Sequence, residues 1–225
     1  VGIFGTDEEF PLMVSLNYKS DEPDNAVKIW ELLLKKGANP NLGKIDKEYG
    51  MNESPTDYAV FRGMSKCLNL LLEYKADVSP LHLKTSIERN HLSIVKTLVE
   101  YGVPLTFVRQ DESCLAACCE AYRCRDKDAK PTPGLEIARY LLGRGVDPNL
   151  YSPIANALSV GFLELAELLK EKGAKLKGLA TPLAFSARHI STLEWLEKNG
   201  GDLFERSSNN SPAYYGSHFI YCVTN

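Results

Sequence analysis

The sequence lacks long hydrophobic runs, a surplus of basic residues and a glycine-rich phosphate loop, and each absence excludes a class of function. Its apolar runs extend over only a few residues, so we expect no insertion into a membrane. The 26 Lys and Arg residues against 29 Asp and Glu residues give a net charge of −3 without a basic stripe, which argues against nucleic acid as a partner. The sequence has no glycine-rich phosphate loop of the kind that binds nucleotides. We expect no cofactor and no small-molecule substrate.

Cysteine is also too sparse for a disulfide framework. The chain has six cysteines in 225 residues, whereas disulfide-stapled secreted domains contain them at a much higher density. Together with the lack of a signal-peptide pattern, this composition predicts a reducing, cytoplasmic compartment. Because the sequence begins at Val1 without an initiator methionine, we interpret it as a domain excised from a longer protein.

What the sequence does contain is a phrase that recurs six times at the end of a leucine-containing, helix-like run. A glycine follows the leucines and a basic or polar residue, and a short tail comes next. Glycine has no Cβ penalty in the left-handed conformation that commonly follows a helix, so the phrase predicts helix ends. At Lys75 a lysine replaces the glycine, which predicts either backbone strain or a different helix end. The phrases are ELLLKKGANPN, LLEYKADV, TLVEYGVPL, YLLGRGVDPN, ELLKEKGAKL and WLEKNGGDL, which end at Asn41, Val78, Leu105, Asn149, Leu176 and Leu203.

Two kinds of helix start recur between these ends. Ser or Thr followed by Pro predicts a capped first helix, because the hydroxyl accepts a backbone N–H and proline tolerates the first turn. A His, Gly or Phe before an aliphatic run predicts a second helix. The first kind occurs at Ser54-Pro55, Ser152-Pro153, Thr181-Pro182 and Ser211-Pro212, and the second at His91–Val95, Gly134–Ala138 and Phe162–Ala166.

We call the glycine position of each phrase, which Lys75 occupies in the second copy, a hinge. Successive hinges are spaced by 38, 27, 43, 28 and 27 residues, and an average spacing of about 33 is typical of a helical solenoid. With the two kinds of helix start, this pattern resembles the ankyrin repeat over essentially the whole chain. The resemblance implies an all-α solenoid of six helix-turn-helix repeats plus a partial seventh, with short β-hairpin-like fingers. A plain helical bundle is the alternative, but a bundle has no reason to repeat the glycine hinge. We expect a single ankyrin-repeat domain over residues 1–225, with repeats at about 10–41, 42–78, 79–105, 106–149, 150–176, 177–203 and, in part, 204–225.

The uneven spacing predicts where residues are inserted. We expect extra residues between the two helices of repeat 1, at 17–25, a long finger at 42–53, and a polar surface loop at 122–133. In repeat 3, the distance to His91 places Pro80-Leu81-His82 two residues too early for a helix start. The register therefore predicts a shortened hairpin at this segment.

The residues with potential chemistry have simpler structural interpretations. Cys118 and Cys119 fall where ankyrin repeats place small residues for close helix packing, so we expect buried thiols and no metal site. Cys124 differs, because the arginines on either side of it favour the reactive thiolate. His91 and His189 begin second helices, where we expect the imidazole to bond backbone groups and tie neighbouring repeats. No Cys–His–Asp set occurs in local register, so we assign no catalytic residue.

The resemblance also implies where a partner binds, because ankyrin domains dock proteins on finger tips and on the exposed ends of first helices, along a concave face. Aromatic residues and arginines dominate interface hot spots, which favours Tyr49, Phe61, Arg62, Phe107 and Arg109. For each aromatic residue, packing between repeats is the alternative. The full set of expected protein-binding residues is Tyr49, Met51, Phe61, Arg62, Glu88, Arg89, Phe107, Arg109, Tyr122, Arg123, Tyr151, Arg188 and Phe204.

Ankyrin resemblance implies protein recognition, with no catalysis by this segment. Divergent arrays of this style accompany enzyme domains in bacterial effectors, which favours a host protein as the partner and a host cytosol as the setting. A cellular scaffold protein is the alternative. A second hypothesis makes the segment part of an effector transferase or protease, in which Cys124 or the 122–133 loop contributes to substrate recognition or the active site. A third makes it a structural spacer.

Overall fold

Pairs of short helices joined by tight turns make up most of the described structure, which is a computed structural model. It describes residues 11–14, 23–45, 52–106, 113–123, 132–176 and 190–200. The chain divides into two compact units, Val1–Thr106 and Phe107–Asn225. We call these unit 1 and unit 2 and describe each by itself.

Unit 1 contains two rows of helices and one small hairpin. The first helices α3 and α5 pack side by side, and the second helices α2, α4 and α6 pack in sequence behind them, with α3 against α4 and α5 against α6. Each repeat therefore contacts its neighbours through both of its helices. The elements are α1 (Pro11–Val14), α2 (Pro23–Lys35), β1 (Lys44–Ile45), β2 (Asn52–Glu53), α3 (Pro55–Arg62), α4 (Ser65–Glu73), α5 (Pro80–Glu88) and α6 (Leu92–Tyr101).

Unit 2 repeats the same arrangement. Its first helices α7 and α9 pack together, α8 packs on α7 and α10, and α9 packs on α10. The last described helix, α11, joins this stack through the Thr192 hydroxyl, which donates to the Leu158 carbonyl at 3.1 Å. The Trp195 indole N–H donates to Glu167 at 2.6 Å. The elements are α7 (Cys114–Arg123), α8 (Leu135–Gly143), α9 (Pro153–Ser159), α10 (Leu163–Glu171) and α11 (Ile190–Lys198).

The long finger predicted at 42–53 is a β-hairpin at its base. Strands β1 and β2 pair in antiparallel register, with Lys44 opposite Glu53 and Ile45 opposite Asn52. The hairpin leads directly into α3, because Ser54 follows β2 and caps that helix. The expectation of a hairpin-like finger is confirmed here.

Left-handed residues end the second helices at all six predicted hinges. The φ angles extend from +63° at Lys75 to +99° at Gly102. At the Lys75 hinge, the N–H groups of Lys75 and Ala76 donate to the carbonyls of Leu72 and Leu71 at 3.1 and 2.9 Å. This pair of bonds satisfies carbonyls that the helix leaves unpaired. Lysine adopts the glycine conformation at this hinge, so the prediction of backbone strain is confirmed; the other five hinge residues are Gly37, Gly102, Gly145, Gly173 and Gly200.

The expectation of a shortened hairpin at Pro80-Leu81-His82 is wrong, because Pro80 is the first residue of α5. Ser79 caps this helix, and its N–H donates to Nδ1 of His82 at 2.9 Å. The helix therefore begins about half a turn earlier than the register of His91 requires. The turn before it is correspondingly short, since only residues 76–78 separate the Lys75 hinge from the cap.

The other predicted helix starts have mixed outcomes. Ser54 caps α3 as expected and accepts the N–H of Asp57 at 3.1 Å. Pro153 begins α9 as expected, but Ser152 makes no side-chain cap bond and has a left-handed φ of +51°. The second helices α6, α8 and α10 begin directly after His91, Gly134 and Phe162, as predicted. Thr181-Pro182 and Ser211-Pro212 lie outside the described residues.

Two predicted insertions are smaller than expected. Helix α2 begins at Pro23, so residues 23–25 are helical and do not belong to an interhelix insertion. Helix α7 extends to Arg123, so Tyr122 and Arg123 are helical and are not part of a loop. Each helix is longer than its repeat register indicates.

The cysteines of α7 lie in the core of unit 2. Cys114, Cys118 and Cys119 are buried, and the Cys118 thiol lies 3.4 Å from the Cys114 carbonyl. Burial raises the pKa of Cys118 well above its ordinary value, and burial of Cys67 in unit 1 raises its pKa to about 11. The Cys67 and Cys118 thiols are therefore protonated at neutral pH and are weak nucleophiles. Cys124, the predicted reactive thiol, lies outside the described residues.

Candidate functional site

Four of the expected binding residues lie together at the carboxyl ends of α3 and α5 in unit 1. Phe61 and Arg62 are the last two residues of α3, and Glu88 and Arg89 occupy the end of α5, which packs alongside. Phe61 is 45% exposed, and both arginines are also exposed. We call these four residues the α3/α5 surface.

The arginines of the α3/α5 surface lie against aromatic rings. The guanidinium carbon of Arg89 is 3.5 Å from the centroid of the Phe61 ring. The guanidinium carbon of Arg62 is 5.9 Å from the centroid of Tyr58, one helical turn earlier in α3. Cation–π contacts at exposed sites contribute about 0.5–1 kcal/mol. The two contacts restrict the arginines while their N–H groups stay accessible to solvent.

The charges of the α3/α5 surface are not balanced. Glu88 forms an ion pair with Lys84 across one turn of α5, at 3.6 Å. Across the described ranges, neither Arg62 nor Arg89 has a carboxylate within ion-pair distance. Among the described residues, the surface therefore presents two arginines without a paired carboxylate, beside one exposed aromatic ring.

His91 fixes the backbone beneath Phe61. Its Nε2 lies 3.2 Å from the Phe61 carbonyl, so the first residue before α6 holds the end of α3 in the preceding repeat. The His91 ring can approach this closely because Gly63 has no Cβ; a Cβ there would lie 2.8 Å from Cε1 of His91. Gly63 also has φ +72°, which favours glycine. The predicted structural role of His91 is confirmed; His189 lies outside the described residues.

At the opposite end of the same two helices, a second histidine joins two helix caps. Nε2 of His82 lies 2.9 Å from Oδ1 of Asp57, and Oδ2 of Asp57 accepts the Ser54 N–H at 2.9 Å. Burial alone raises the pKa of the Asp57 carboxyl, but the hydrogen bonds from His82 and Ser54 outweigh it and lower that pKa. The α3 and α5 caps are therefore connected through one carboxylate, which sets the two helices side by side.

Unit 2 has a comparable aromatic–arginine pair with different surroundings. Tyr122 and Arg123 end α7. The Tyr122 ring stacks on Phe162, with centroids 4.0 Å apart and planes 11° from parallel, and its hydroxyl donates to the Gly161 carbonyl at 3.1 Å. Arg123 pairs with Glu120 of its own helix at 3.0 Å. Tyr122 thus makes the packing contact that was the alternative interpretation of each aromatic candidate.

Tyr151 lies on a strained turn of unit 2 and is 46% exposed. Tyr151 and Ser152 have φ angles of +58° and +51°, which are unfavourable for residues that carry a Cβ. Asn149 anchors this turn to the next hinge, because its side chain accepts the Lys175 N–H at 2.9 Å and donates to the Gly173 carbonyl at 3.2 Å. The exposure of Tyr151 agrees with a position on a finger.

The other expected binding residues lie outside the described ranges; these are Tyr49, Met51, Phe107, Arg109, Arg188 and Phe204. Sequence reasoning did not anticipate the contribution of Tyr58, although its spacing of four residues from Arg62 places the two on one helix face. It also did not assign a role to His82. The Ser-x-x-His spacing from Ser79 is that of a capping box, which was the available signal.

Comparison with known structures supports the fold. The human ASB11 ankyrin repeat domain is similar in structure, with a TM-score of 0.64 and 17% sequence identity over 90% of this chain and 89% of that domain. No protein-family model and no curated protein sequence matches the chain. The fold is an all-α ankyrin-repeat solenoid, as the repeat pattern predicted.

The described part of the chain lacks two features that would indicate other functions. No helix there has both the length and the hydrophobicity needed to cross a bilayer. The His, Cys, Asp and Glu side chains in the same ranges form no cluster of three or more that is able to hold a metal ion.

Proposed function

We propose that this chain is a protein-recognition module and that the α3/α5 surface contacts the partner. The observation that carries the proposal is the exposed Phe61 ring, covered on one side by Arg89 and followed by Arg62. Nearly half of this large apolar side chain is still exposed to solvent, so a partner that covers it gains hydrophobic burial. Aromatic residues and arginines are the residue types that dominate binding energy in protein interfaces.

The helices that hold this surface are rigidly positioned. His91 bonds the backbone at Phe61, and the Asp57–His82 contact joins the opposite ends of α3 and α5. A surface that is ordered before binding loses less conformational entropy when the partner docks. These contacts support recognition, because they fix the helix ends that carry the four side chains.

The identity of the partner is a separate proposal. The divergence of the repeats supports a host protein, recruited for an attached domain, and a scaffold role within one cell is the alternative. The enzyme hypothesis has no support from the described thiols, because all four are buried. Burial also raises the pKa of Cys67 and of Cys118. Cys124 stays a candidate on its sequence neighbours alone.

Affinity capture with quantitative mass spectrometry tests the proposed function. The full chain serves as bait, together with the variants Phe61→Ala and Arg62→Glu. Arg139→Glu is the matched control, because Arg139 is an exposed residue of the second helix α8. We expect the first two variants to lose a protein that wild type and the control retain. If both variants keep every partner at wild-type affinity, the assignment of the α3/α5 surface is wrong.

A further inference from the structure

We propose that the partner docks an acidic segment on the α3/α5 surface, with an apolar side chain on Phe61 and carboxylates on Arg62 and Arg89. This inference rests on the proposed function and names the chemistry of the segment that the surface selects. The occupant is a stretch of protein in which Asp or Glu lies next to an apolar residue.

The charge of the α3/α5 surface favours an acidic partner. Glu88, the carboxylate of this surface, already pairs with Lys84. Asp57, at the opposite end of α3, bonds His82 and Ser54. In the ranges that the structure describes, the guanidinium groups of Arg62 and Arg89 have no such acceptor. A partner that brings carboxylates supplies the missing negative charge, whereas a basic partner is repelled by both arginines.

Arg89 lies close over the Phe61 ring. Its guanidinium carbon is 3.5 Å from the ring centroid, a separation that allows the guanidinium to stack on the ring. A guanidinium that stacks on an aromatic face keeps its N–H donors at its edge, where they can bind a carboxylate with two parallel hydrogen bonds. The Arg89 donors therefore stay available to a carboxylate of the partner.

Unit 2 shows that an arginine at the end of a first helix is not necessarily available. Arg123 occupies the same place after Tyr122 as Arg62 does after Phe61, but Glu120 neutralises it at 3.0 Å. The position equivalent to Glu120 in α3, three residues before the arginine, is Ala59, which is fully buried. The availability of Arg62 is therefore a property of this particular helix.

A purely structural role for these arginines gives a different expectation. A positive side chain at the carboxyl end of a helix interacts favourably with the helix dipole, and lysine does this as well as arginine. Acidic recognition by paired hydrogen bonds, in contrast, is weakened when lysine replaces arginine. The double variant Arg62→Lys/Arg89→Lys separates these roles, because it keeps the charge and loses the planar donors.

The experiment selects short random-sequence peptides on phage against the immobilised full chain and measures the enriched peptides by calorimetry. We expect enrichment of peptides with Asp or Glu beside an apolar residue. The double variant Arg62→Glu/Arg89→Glu should weaken their binding by about tenfold or more. The double lysine variant should be intermediate, and Arg139→Glu should bind like wild type. Peptides whose acidic residues are changed to Lys should bind the double Glu variant better than they bind wild type.

The outcomes separate this inference from the proposed function. Peptides that depend on Phe61 but show no preference for acidic residues overturn the inference and leave the proposed function standing. A selection that yields no peptide dependent on Phe61 contradicts both. Thermal unfolding of each variant is measured in parallel, and single Arg→Glu variants replace the double variant if the latter does not fold.

Discussion

Each unit ends one first helix with an aromatic residue followed by an arginine, yet the two pairs have different environments. In unit 1, Phe61 stays 45% exposed and Arg62 has no ion pair among the described residues. In unit 2, Tyr122 stacks on Phe162, and Arg123 pairs with Glu120. The same two residue types thus form an accessible surface in one unit and an internal contact in the other.

The residue that precedes the second helix of the following repeat decides between these outcomes. His91 precedes α6 and bonds the Phe61 backbone at 3.2 Å, so the Phe61 ring stays outside the repeat interface. Phe162 precedes α10 and is fully buried, so it draws the Tyr122 ring into the interface. An aromatic residue at a helix end is therefore available for binding only if the neighbouring repeat offers it no apolar surface.

The largest expected effect on stability comes from removing the buried ring of Phe162, on which Tyr122 stacks. Phe162→Ala should lower the free energy of unfolding by about 3–5 kcal/mol, because it leaves a cavity under Tyr122. His91→Ala, at the corresponding position of unit 1, should cost only about 1 kcal/mol, since it removes one hydrogen bond. Urea denaturation monitored by circular dichroism measures both. Equal losses would show that the two positions do not differ as described.

Tyr122 itself should show a smaller loss. Tyr122→Ala removes the stack on Phe162 and the hydrogen bond to Gly161, so we expect a loss of about 2–3 kcal/mol. Tyr122→Phe keeps the stack and should cost about 1 kcal/mol, from the hydrogen bond alone. The same denaturation experiment compares them. A Tyr122→Ala variant as stable as wild type is incompatible with a packing role.

The helix ends were the most predictable part of the fold, because glycine and proline act locally. The six hinges needed only the left-handed preference of glycine, and even Lys75 follows it. The start of α5 was not predictable from register, because the Asp57–His82 contact that accompanies it joins two repeats. The environment of Tyr122 likewise depends on Phe162 in the following repeat. The grouping of Phe61 with Arg89 came from repeat geometry, whereas their contact came only from the structure.

A substitution at the strained Lys75 hinge should raise the stability, in contrast to the losses expected at Phe162 and Tyr122. Lys75→Gly should stabilise the protein by about 0.5–1 kcal/mol, because a residue with a Cβ is disfavoured at φ +63° by more than glycine loses in entropy. Gly102→Ala, at φ +99°, is the reciprocal control and should destabilise by about 1 kcal/mol. Thermal or urea denaturation gives both signs. A destabilised Lys75→Gly variant would mean that the lysine side chain makes a stabilising contact.

The smallest expected effect is the pH dependence of the Asp57 contact in unit 1. The hydrogen bonds to His82 and Ser54 lower the pKa of Asp57 in the folded chain below its ordinary value of 3.8. Its contribution to stability is therefore present above pH 3.8 and is lost as the pH falls through the folded pKa. Asp57→Asn should remove this part of the acid destabilisation, which urea titrations between pH 5 and pH 3 measure. Parallel pH profiles for wild type and variant would contradict the assignment.

The most direct test of the central claim is the affinity of one captured partner, or one selected peptide, for Phe61→Ala and Tyr122→Phe compared with wild type. The α3/α5 surface predicts that Phe61→Ala lowers the affinity by about tenfold or more while the chain stays folded. Tyr122→Phe should leave the affinity unchanged despite its cost in stability. Wild-type affinity for a folded Phe61→Ala variant, or a loss confined to Tyr122→Phe, would contradict the claim.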